Sequence, residues 1–564
     1  MSYTGARWMV DFLAELGVQY LFGNPGTTEL PINDAILSCP VRYVLGLQEI
    51  PVMAMADGYA QASGTVAVVN LHISCGLGNA MGMLYNAFRA GTPLVVTAGQ
   101  QDQRFIHTEP ILWGEMVSVV RPWTKWAAEV RSVRELPRLL ARAIQIAQTP
   151  PTGPVFLSLP LDVQTAEMPE DVVCPKPKTL HLAGLPSQEV FQRAASVLAG
   201  AKNPGILVGS KPLGRQGIEF LTRLADNLGA PVFHEPYYTH GRCNFPAGHP
   251  LSAGLLPFWS PEIRERLESF DVLLAIGIKL FEEYIYHGDI SCIPSSTRLI
   301  HLDDDPREIN KNYPAEIGLA GNIPKMLEAI TKELEADPAF PKAEALARRS
   351  RWVQEIERAR SQLRNQARTE FPLRPMTPLA MLEALAAVLP PNVAVVEEAP
   401  TTSGSYFERT GTLPTPEGFF AQRGWALGWG LGCAIGIRLA WPDRPVLALL
   451  GDGSALYGIQ GLWTAAHYRI PVTFVIANNC QYAILKNCAR VLRLPEALQG
   501  RFEAVDLSPP SIDYVGLAKS FGVQAARADS PESLSELARE SFRSQYPMVI
   551  EVPLESSAGR AQLG

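Results

Sequence analysis

The chain holds 564 residues, 47% hydrophobic and 19% charged, with a formal net charge of −7. At ~100–200 residues per domain this length makes about three globular domains, and the lack of a basic block argues against nucleic acid or anionic lipid as a partner. The eight scattered cysteines form no CxxC and no close His/Cys set that suggests zinc, so they read as reduced thiols. The opening MSYTGARWMVDFLAELG lacks the long apolar core of a signal peptide. No apolar run reaches the ~20 residues of a membrane helix, so a cytoplasmic, soluble protein is expected.

Residues 1–170 alternate helix and strand patterns. Ala6–Leu16 is a helix pattern and Tyr20–Phe22 a strand ending in a Gly/Asn/Pro turn. Val41–Leu45 is a strand, after which Gln48 and Glu49 open a helix through Tyr59. Thr65–Leu71 is a strand ending at His72, a Gly-rich turn at Ser74–Gly78 precedes a helix Asn79–Ala90, and Pro93–Ala98 and Val155–Leu159 are buried strands. Pro169–Pro186 reads as a linker. A second domain, residues 187–340, has strands at Gly205–Val208, Pro231–Phe233, Val272–Ile276 and Arg298–Leu302, without a GxGxxG. The charged run Lys342–Arg368 looks like a solvated helical connection. A third domain, residues 370–555, has a strand at Val393–Val396 ending in two glutamates, a Gly/Ala-rich helix Trp425–Leu439 suited to close packing, and a last strand Met548–Val552. The fold class is α/β, three doubly wound parallel sheets.

The most informative stretch is VLALLGDGSALYGIQGLWTAAHYRIPVTFVIANNCQ, from Val446 to Gln481. It reads as one βαβ unit: a buried strand, a turn centred on Asp452, a helix, and a strand Val472–Ala477 ending in Asn478-Asn479. Both turns fall at carboxyl ends of parallel strands, where open α/β sheets bind ligands. Glycines at 451 and 453 admit a phosphate close to the backbone, and the following helix N-terminus, with Ser454, favours its charge. Asp452, the Asn479 side-chain oxygen and a carbonyl near Gln481 could give Mg²⁺ three oxygen ligands, leaving the rest of its set of about six to phosphates and water. A GDG turn alone is common, but GDG followed one helix and one strand later by NN resembles the signature of thiamine diphosphate enzymes.

Further stretches extend that resemblance over nearly the whole chain. They are FGNPGTTELP at Phe22–Pro31, LQE at Leu47–Glu49, DGYAQAS at Asp57–Ser63, NLHISCGLGNAMG at Asn70–Gly82 and TAGQQ at Thr97–Gln101. Together they resemble the benzoylformate decarboxylase branch of the superfamily, whose other members include acetolactate synthase and pyruvate decarboxylase. The resemblance implies a pyrimidine-binding first domain, a central domain and a diphosphate-binding third domain. It implies that Glu49 presses on the cofactor's aminopyrimidine ring, favouring the imino form that deprotonates the thiazolium, while the cofactor supplies the hard step. It assigns His72 to proton handling, which suits an imidazole, and Thr27 to the substrate carboxylate, where near relatives carry serine. The family's second histidine aligns with Tyr284 in IGIKLFEEYIYHGD, with His287 three residues on, so either could substitute.

The same resemblance places Thr401, Thr402, Gly451, Gly453, Ser454 and Tyr482 around the diphosphate. Leu427 becomes the wedge that bends the cofactor, and Trp425 stands where relatives usually have glycine, offering its backbone carbonyl. Asn24, Thr27, His107, Ile111, Leu112, Ile484 and Leu485 line the substrate pocket, whose apolar wall suits an aromatic or aliphatic tail. The implied activity is non-oxidative decarboxylation of a 2-keto acid to an aldehyde and CO₂ with thiamine diphosphate and Mg²⁺. A carboligase of the acetolactate synthase kind and a non-catalytic cofactor-binding relative are the alternatives. Because such families share each site between two chains, a homodimer is the smallest working unit and a homotetramer is expected.

Overall fold

The computed structural model describes residues 3–173 and 184–556, so most of the expected linker lies outside the described residues. Eighteen strands build three sheets of six, and every pairing within them is parallel. The first holds β1 (Tyr20–Asn24), β2 (Arg42–Leu45), β3 (Ala67–Leu71), β4 (Leu94–Gln100), β5 (Trp126–Glu129) and β6 (Val155–Pro160). The second holds β7 (Pro204–Val208), β8 (Val232–His234), β9 (Ser252–Leu255), β10 (Val272–Ile276), β11 (Arg298–Asp303) and β12 (Ile317–Ala320). The third holds β13 (Ala394–Glu398), β14 (Phe419–Ala421), β15 (Val446–Gly451), β16 (Thr473–Asn478), β17 (Gln524–Arg527) and β18 (Met548–Pro553). Central strands such as β3, β10 and β15 are runs of Val, Ile, Leu and Ala with almost no polar interruption, as helices on both faces of a parallel sheet require.

The first and third sheets have one topology. The first runs β2-β1-β3-β4-β6-β5 and the third β14-β13-β15-β16-β18-β17, the same order counted from the first strand of each. In both, the chain reverses its direction of travel across the sheet between the first and third strands, which opens a crevice at their carboxyl ends. The central sheet runs β12-β11-β10-β7-β8-β9, the dinucleotide-fold order. Its corresponding crevice is closed by backbone: a Cβ on Gly209 would lie 2.1 Å from the Gly277 carbonyl oxygen.

The first and third domains meet through the helices Glu49–Ser63 and Trp429–Ala440, whose buried side chains belong to one continuous core. Glycines make the approach close. A Cβ on Gly436 would lie 1.9 Å from the Met55 carbonyl oxygen, and one on Gly58 would lie 2.3 Å from that of Cys433. Thr464 Oγ1 donates to Leu45 O at 2.9 Å, and the Trp429 indole N–H donates to buried Asp57, fixing the register. The expectation of a close-packed Gly/Ala-rich helix holds, but that helix begins at Trp429, so Trp425–Gly428 are a turn ahead of it.

Other local expectations are corrected. Ser74–Gly78 are not a turn: the helix starts at Ile73 and runs to Ala90, with His72 still extended as its N-cap and Ile73, at φ +40°, making the break from the strand. Asp452 is likewise the first residue of a helix Asp452–Gly458, separated from Gly461–His467. The Lys342–Thr369 helix is more than a solvated connection. Trp352 and Ile356 are buried on it, and Arg360 Nη2 donates to the carbonyls of Ala247, His249 and Ser252 at 2.6, 3.0 and 2.9 Å.

Candidate active site

At the first sheet's crevice, the β1 end and the β3 end bring their side chains together. Glu49, the first residue of its helix, is buried, and its carboxylate accepts from Asn24 Nδ2 at 3.2 Å and Asn79 Nδ2 at 3.0 Å. Asn24, expected on the pocket wall, therefore also orients Glu49. His72 follows β3 directly, and its Nδ1 lies 2.7 Å from Glu29 Oε2, leaving Nε2 as the ring nitrogen available to a ligand. Glu29 is fully buried and also accepts from the backbone N–H groups of Gly26 and Gly99 at 3.0 and 2.8 Å and from Thr28 Oγ1 at 2.8 Å. A residue other than glycine at 26 would put its Cβ into the imidazole, 2.0 Å from Nδ1. Thr27 opens the short helical turn Thr27–Glu29 and is exposed, its hydroxyl free of the Glu29 network.

Glu29 was missed at the sequence level. Its signal was present in FGNPGTTELP, an acidic residue between a strand end and a helix, but a carboxylate near a helix N-terminus ordinarily serves only the dipole.

At the third sheet's crevice, Thr401 and Thr402 follow β13 and Asp452 follows β15, with the Asn479–Gln481 turn beside them at the end of β16. Asp452 is buried; its carboxylate accepts from Gly453 N at 2.9 Å and Cys480 N at 2.7 Å. Burial pushes its carboxyl up to about 6, the backbone N–H groups only partly offsetting that, and no cationic side chain pairs with it among the described residues. Asn479 Oδ1 accepts from Gln481 N at 3.1 Å. The Gln481 side chain is committed elsewhere, accepting from Lys486 Nζ at 2.6 Å and donating to Ser556 O at 2.6 Å, so only its backbone carbonyl remains for a ligand. The Tyr482 ring lies over Gly453, where a Cβ would stand 2.5 Å from it.

A second unassigned carboxylate supports the turn before the Trp429–Ala440 helix. Glu398 accepts from the backbone N–H groups of Gly428, Trp429 and Gly430 at 3.0, 3.1 and 2.9 Å, and burial pushes it up to about 8. Within that turn Leu427 is half-buried, and Ala426 is clasped by Asn86, which donates to its carbonyl at 2.8 Å and accepts from its N–H at 3.1 Å.

Trp425 has φ +61°, a left-handed conformation that disfavours large side chains and explains a glycine preference at this position. Its ring finds room toward the central domain. The indole N–H donates to Tyr238 O at 2.8 Å, and the ring lies 5.8 Å from Tyr284 and 6.2 Å from Tyr237. Tyr284 therefore faces the Trp425 turn. His287 packs on Trp259 at 5.4 Å, and its Nδ1 lies 2.8 Å from Ile285 O within its own loop. His107 is exposed on the turn Ile106–Thr108, and Leu112 packs on the first-domain core with φ +72°. Ile111 is 83% and Leu485 47% exposed, while Ile484 is half-buried.

Two half-sites thus exist, one built only from first-domain residues and one from the third domain with a central-domain edge. An oxygen-only donor set around an unpaired buried carboxylate fits a hard divalent cation. Comparison with known proteins finds three matching family models. Residues 3–117 match "Thiamine pyrophosphate enzyme, N-terminal TPP binding domain", 191–330 the central domain and 404–552 the C-terminal TPP binding domain. The chain is 34% identical to benzoylformate decarboxylase of Pseudomonas aeruginosa over 97% of this chain and 98% of that protein. It is 27% identical to the acetolactate synthase isozyme 3 large subunit of Escherichia coli over 98% and 95%. The solved thiamine diphosphate-dependent 4-hydroxybenzoylformate decarboxylase of Rhodococcus jostii superposes with a TM-score of 0.85 at 30% identity, covering 99% of this chain and all of that one. The chain belongs to the thiamine pyrophosphate enzyme family.

Proposed function

We propose that this protein is a non-oxidative decarboxylase of a 2-keto acid with an apolar tail, releasing an aldehyde and CO₂ with thiamine diphosphate and Mg²⁺. The observation that carries the reading is the pairing of two anchored proton-handling groups, Glu49 on Asn24 and Asn79 and His72 on Glu29, at one sheet's crevice. The bound cofactor supplies the electron sink that makes CO₂ a leaving group.

The chain's own residues do the rest. Asp452, Asn479 Oδ1 and the Gln481 carbonyl hold the cation, and Gly451, Gly453, Ser454, Thr401, Thr402 and Tyr482 surround the diphosphate. Leu427 and the Trp425 carbonyl fix the ring orientation on that side. Glu49 holds a proton against the pyrimidine ring. His72 Nε2 gives or takes a proton on the substrate side, its tautomer set by Glu29. Thr27 holds the substrate carboxylate. Ile111, Leu112, Ile484 and Leu485 exclude water around the tail, with His107 at the rim. Tyr284, beside Trp425, stands in for the second histidine ahead of His287.

A second reading, carbon–carbon bond formation, is favoured by that same exchange. Tyrosine is a weaker proton donor near neutrality than histidine, and burial raises Tyr284 further, so slower proton delivery by this chain would leave a second carbonyl compound time to compete with the proton. We place the protein in the cytoplasm as a homotetramer built from two site-sharing dimers. The free thiols among the described residues and the exposed apolar side chains of Leu47, Tyr457 and Leu485 near the two half-sites support this.

A panel of aromatic, branched and short 2-keto acids, scored by mass spectrometry, tests the reading. Aldehyde from aromatic or bulky aliphatic acids is expected. Coupled products alone would select the second reading. Cofactor binding without any product would overturn both.

A further inference from the structure

Where the central and third domains meet lies a group of buried side chains that the proposed reaction does not use. His234 ends β8, His240 and Cys243 follow it in the connecting loop, and Glu408 arrives from the third-domain helix Tyr406–Arg409. None is more than 2% exposed. Glu408 Oε1 lies 2.8 Å from His240 Nε2. Glu408 Oε2 lies 3.3 Å from His234 Nδ1, yet neither of these two buried atoms has a hydrogen-bond partner among the described residues. Cys243 Sγ lies 3.4 Å from His234 Nε2, and ligand atoms of His234, Cys243 and Glu408 all fall within 4.8 Å of one another. Metal bonds of about 2.0–2.3 Å set tetrahedral ligand atoms about 3.3–3.8 Å apart. One imidazole nitrogen serves one ion, so the 3.3 Å between Glu408 Oε2 and His234 Nδ1 lies in that range. Cys243 Sγ, which is 3.4 Å from the other ring nitrogen, reaches the same ion only within the wider 4.8 Å spacing of the three ligand atoms.

We propose that His234, Cys243 and Glu408 bind one divalent transition metal of the zinc class, with His240 holding the Glu408 carboxylate, as a staple between the central and third domains. Imidazole, thiolate and carboxylate together are a borderline-soft donor set, unlike the oxygen-only set around Asp452. A thiolate and a carboxylate carry two negative charges that one divalent ion neutralises, which lets both be buried. Ligating carboxylates are themselves held by hydrogen bonds, and the His240 imidazole can give one to Glu408. The sequence offered no close His/Cys set by inspection because the three central-domain residues are spread over ten positions and Glu408 lies 168 residues after His240. The staple also has a bearing on the cofactor half-site: Glu408 ends the segment that begins at Thr401 and Thr402, so a bound metal would pin that loop.

The test uses the full-length, untagged protein in a Cys75→Ser background, which removes the one exposed thiol among the described residues. Elemental analysis of the purified protein is expected to find about one zinc per chain that survives dialysis against EDTA. After removal with a stronger chelator, Co²⁺ titration is expected to give a thiolate-to-cobalt charge-transfer band at one equivalent. That band should be lost in Cys243→Ser and kept in Asp452→Ala. Should Cys243→Ser fail to fold, the cobalt spectrum of the parent protein decides alone. Absence of tightly held metal together with no thiolate band, or a band that survives Cys243→Ser, would overturn the proposal and leave the cluster a metal-free Glu408–histidine pair.

Discussion

Glu29 gives His72 its orientation, and the two behave as one unit. The carboxylate is fully buried with four acceptor contacts, so its geometry is fixed before any ligand arrives. Glu29→Gln keeps the volume but can present an N–H to the imidazole, which would place the ring proton on the wrong nitrogen. We expect turnover to fall by about 10–100-fold, part of what an acid–base group contributes, with thiamine diphosphate affinity unchanged by fluorescence titration; an equal loss in both would make Glu29 merely structural. Asp452 carries a pH dependence. Its folded value of about 6 lies above the unfolded value of about 4, so the native state binds more protons between them and stability falls as pH rises through that interval. A cation paired with the ionised carboxylate offsets that cost above pH ~6, and protons compete with it below. Mg²⁺ should therefore raise the melting temperature more above pH ~7 than below pH ~5.5, and Asp452→Ala should abolish the difference. A Mg²⁺ shift independent of pH would remove Asp452 from the metal site.

At the scale of elements, the helix pair Glu49–Ser63 and Trp429–Ala440 does two tasks on the proposed reading, since one helix begins with Glu49, the proposed catalytic carboxylate, and the other follows the turn that holds Leu427. Gly436→Ala must push the Met55 carbonyl aside, and overpacking on this scale costs about 3 kcal/mol. Its denaturation midpoint should drop accordingly, while the conservative Ala434→Gly should lose less; an unshifted Gly436→Ala would mean the helices do not meet as described. The Gly/Ala composition made this packing legible beforehand, as the buried Val/Ile/Leu runs made the central strands legible. What escaped was every sheet edge except β2. Trp126–Glu129, Ser252–Leu255, Ile317–Ala320, Phe419–Ala421 and Gln524–Arg527 are short or partly exposed, and their sequences hold no period that separates strand from loop. Of the proposed site, Glu49, His72 and Asp452 were legible as candidates because a family motif marked them. Glu29 and Glu398 were not, because their work depends on backbone N–H groups that only the folded turn brings into range.

For the whole molecule, the recurrence of one strand order in the first and third sheets means that each chain carries two crevices of the same design. One presents Glu49 and His72, the other the proposed cation ligands, and each is completed by hydrogen bonds inside its own domain. Leu47, Tyr457 and Leu485, close in sequence to Glu49, Asp452 and Tyr482, remain more than two-fifths exposed in the single chain, a distribution that calls for a covering surface. On the proposed reading, a second copy whose first-domain crevice faced this chain's third-domain crevice would supply it with twofold symmetry. Co-expressing Glu49→Gln and Asp452→Ala chains under different tags distinguishes this from a site contained in one chain. If the two residues meet across the interface, a mixed dimer has one site with both defects and one with neither. Random pairing makes half the dimers mixed, so the preparation should regain about a quarter of wild-type activity, and tandem-tag purified mixed dimers about a half, although each variant alone is inactive. If both residues serve the same chain's site, every site keeps one defect, and the mixed dimers stay as inactive as their parents.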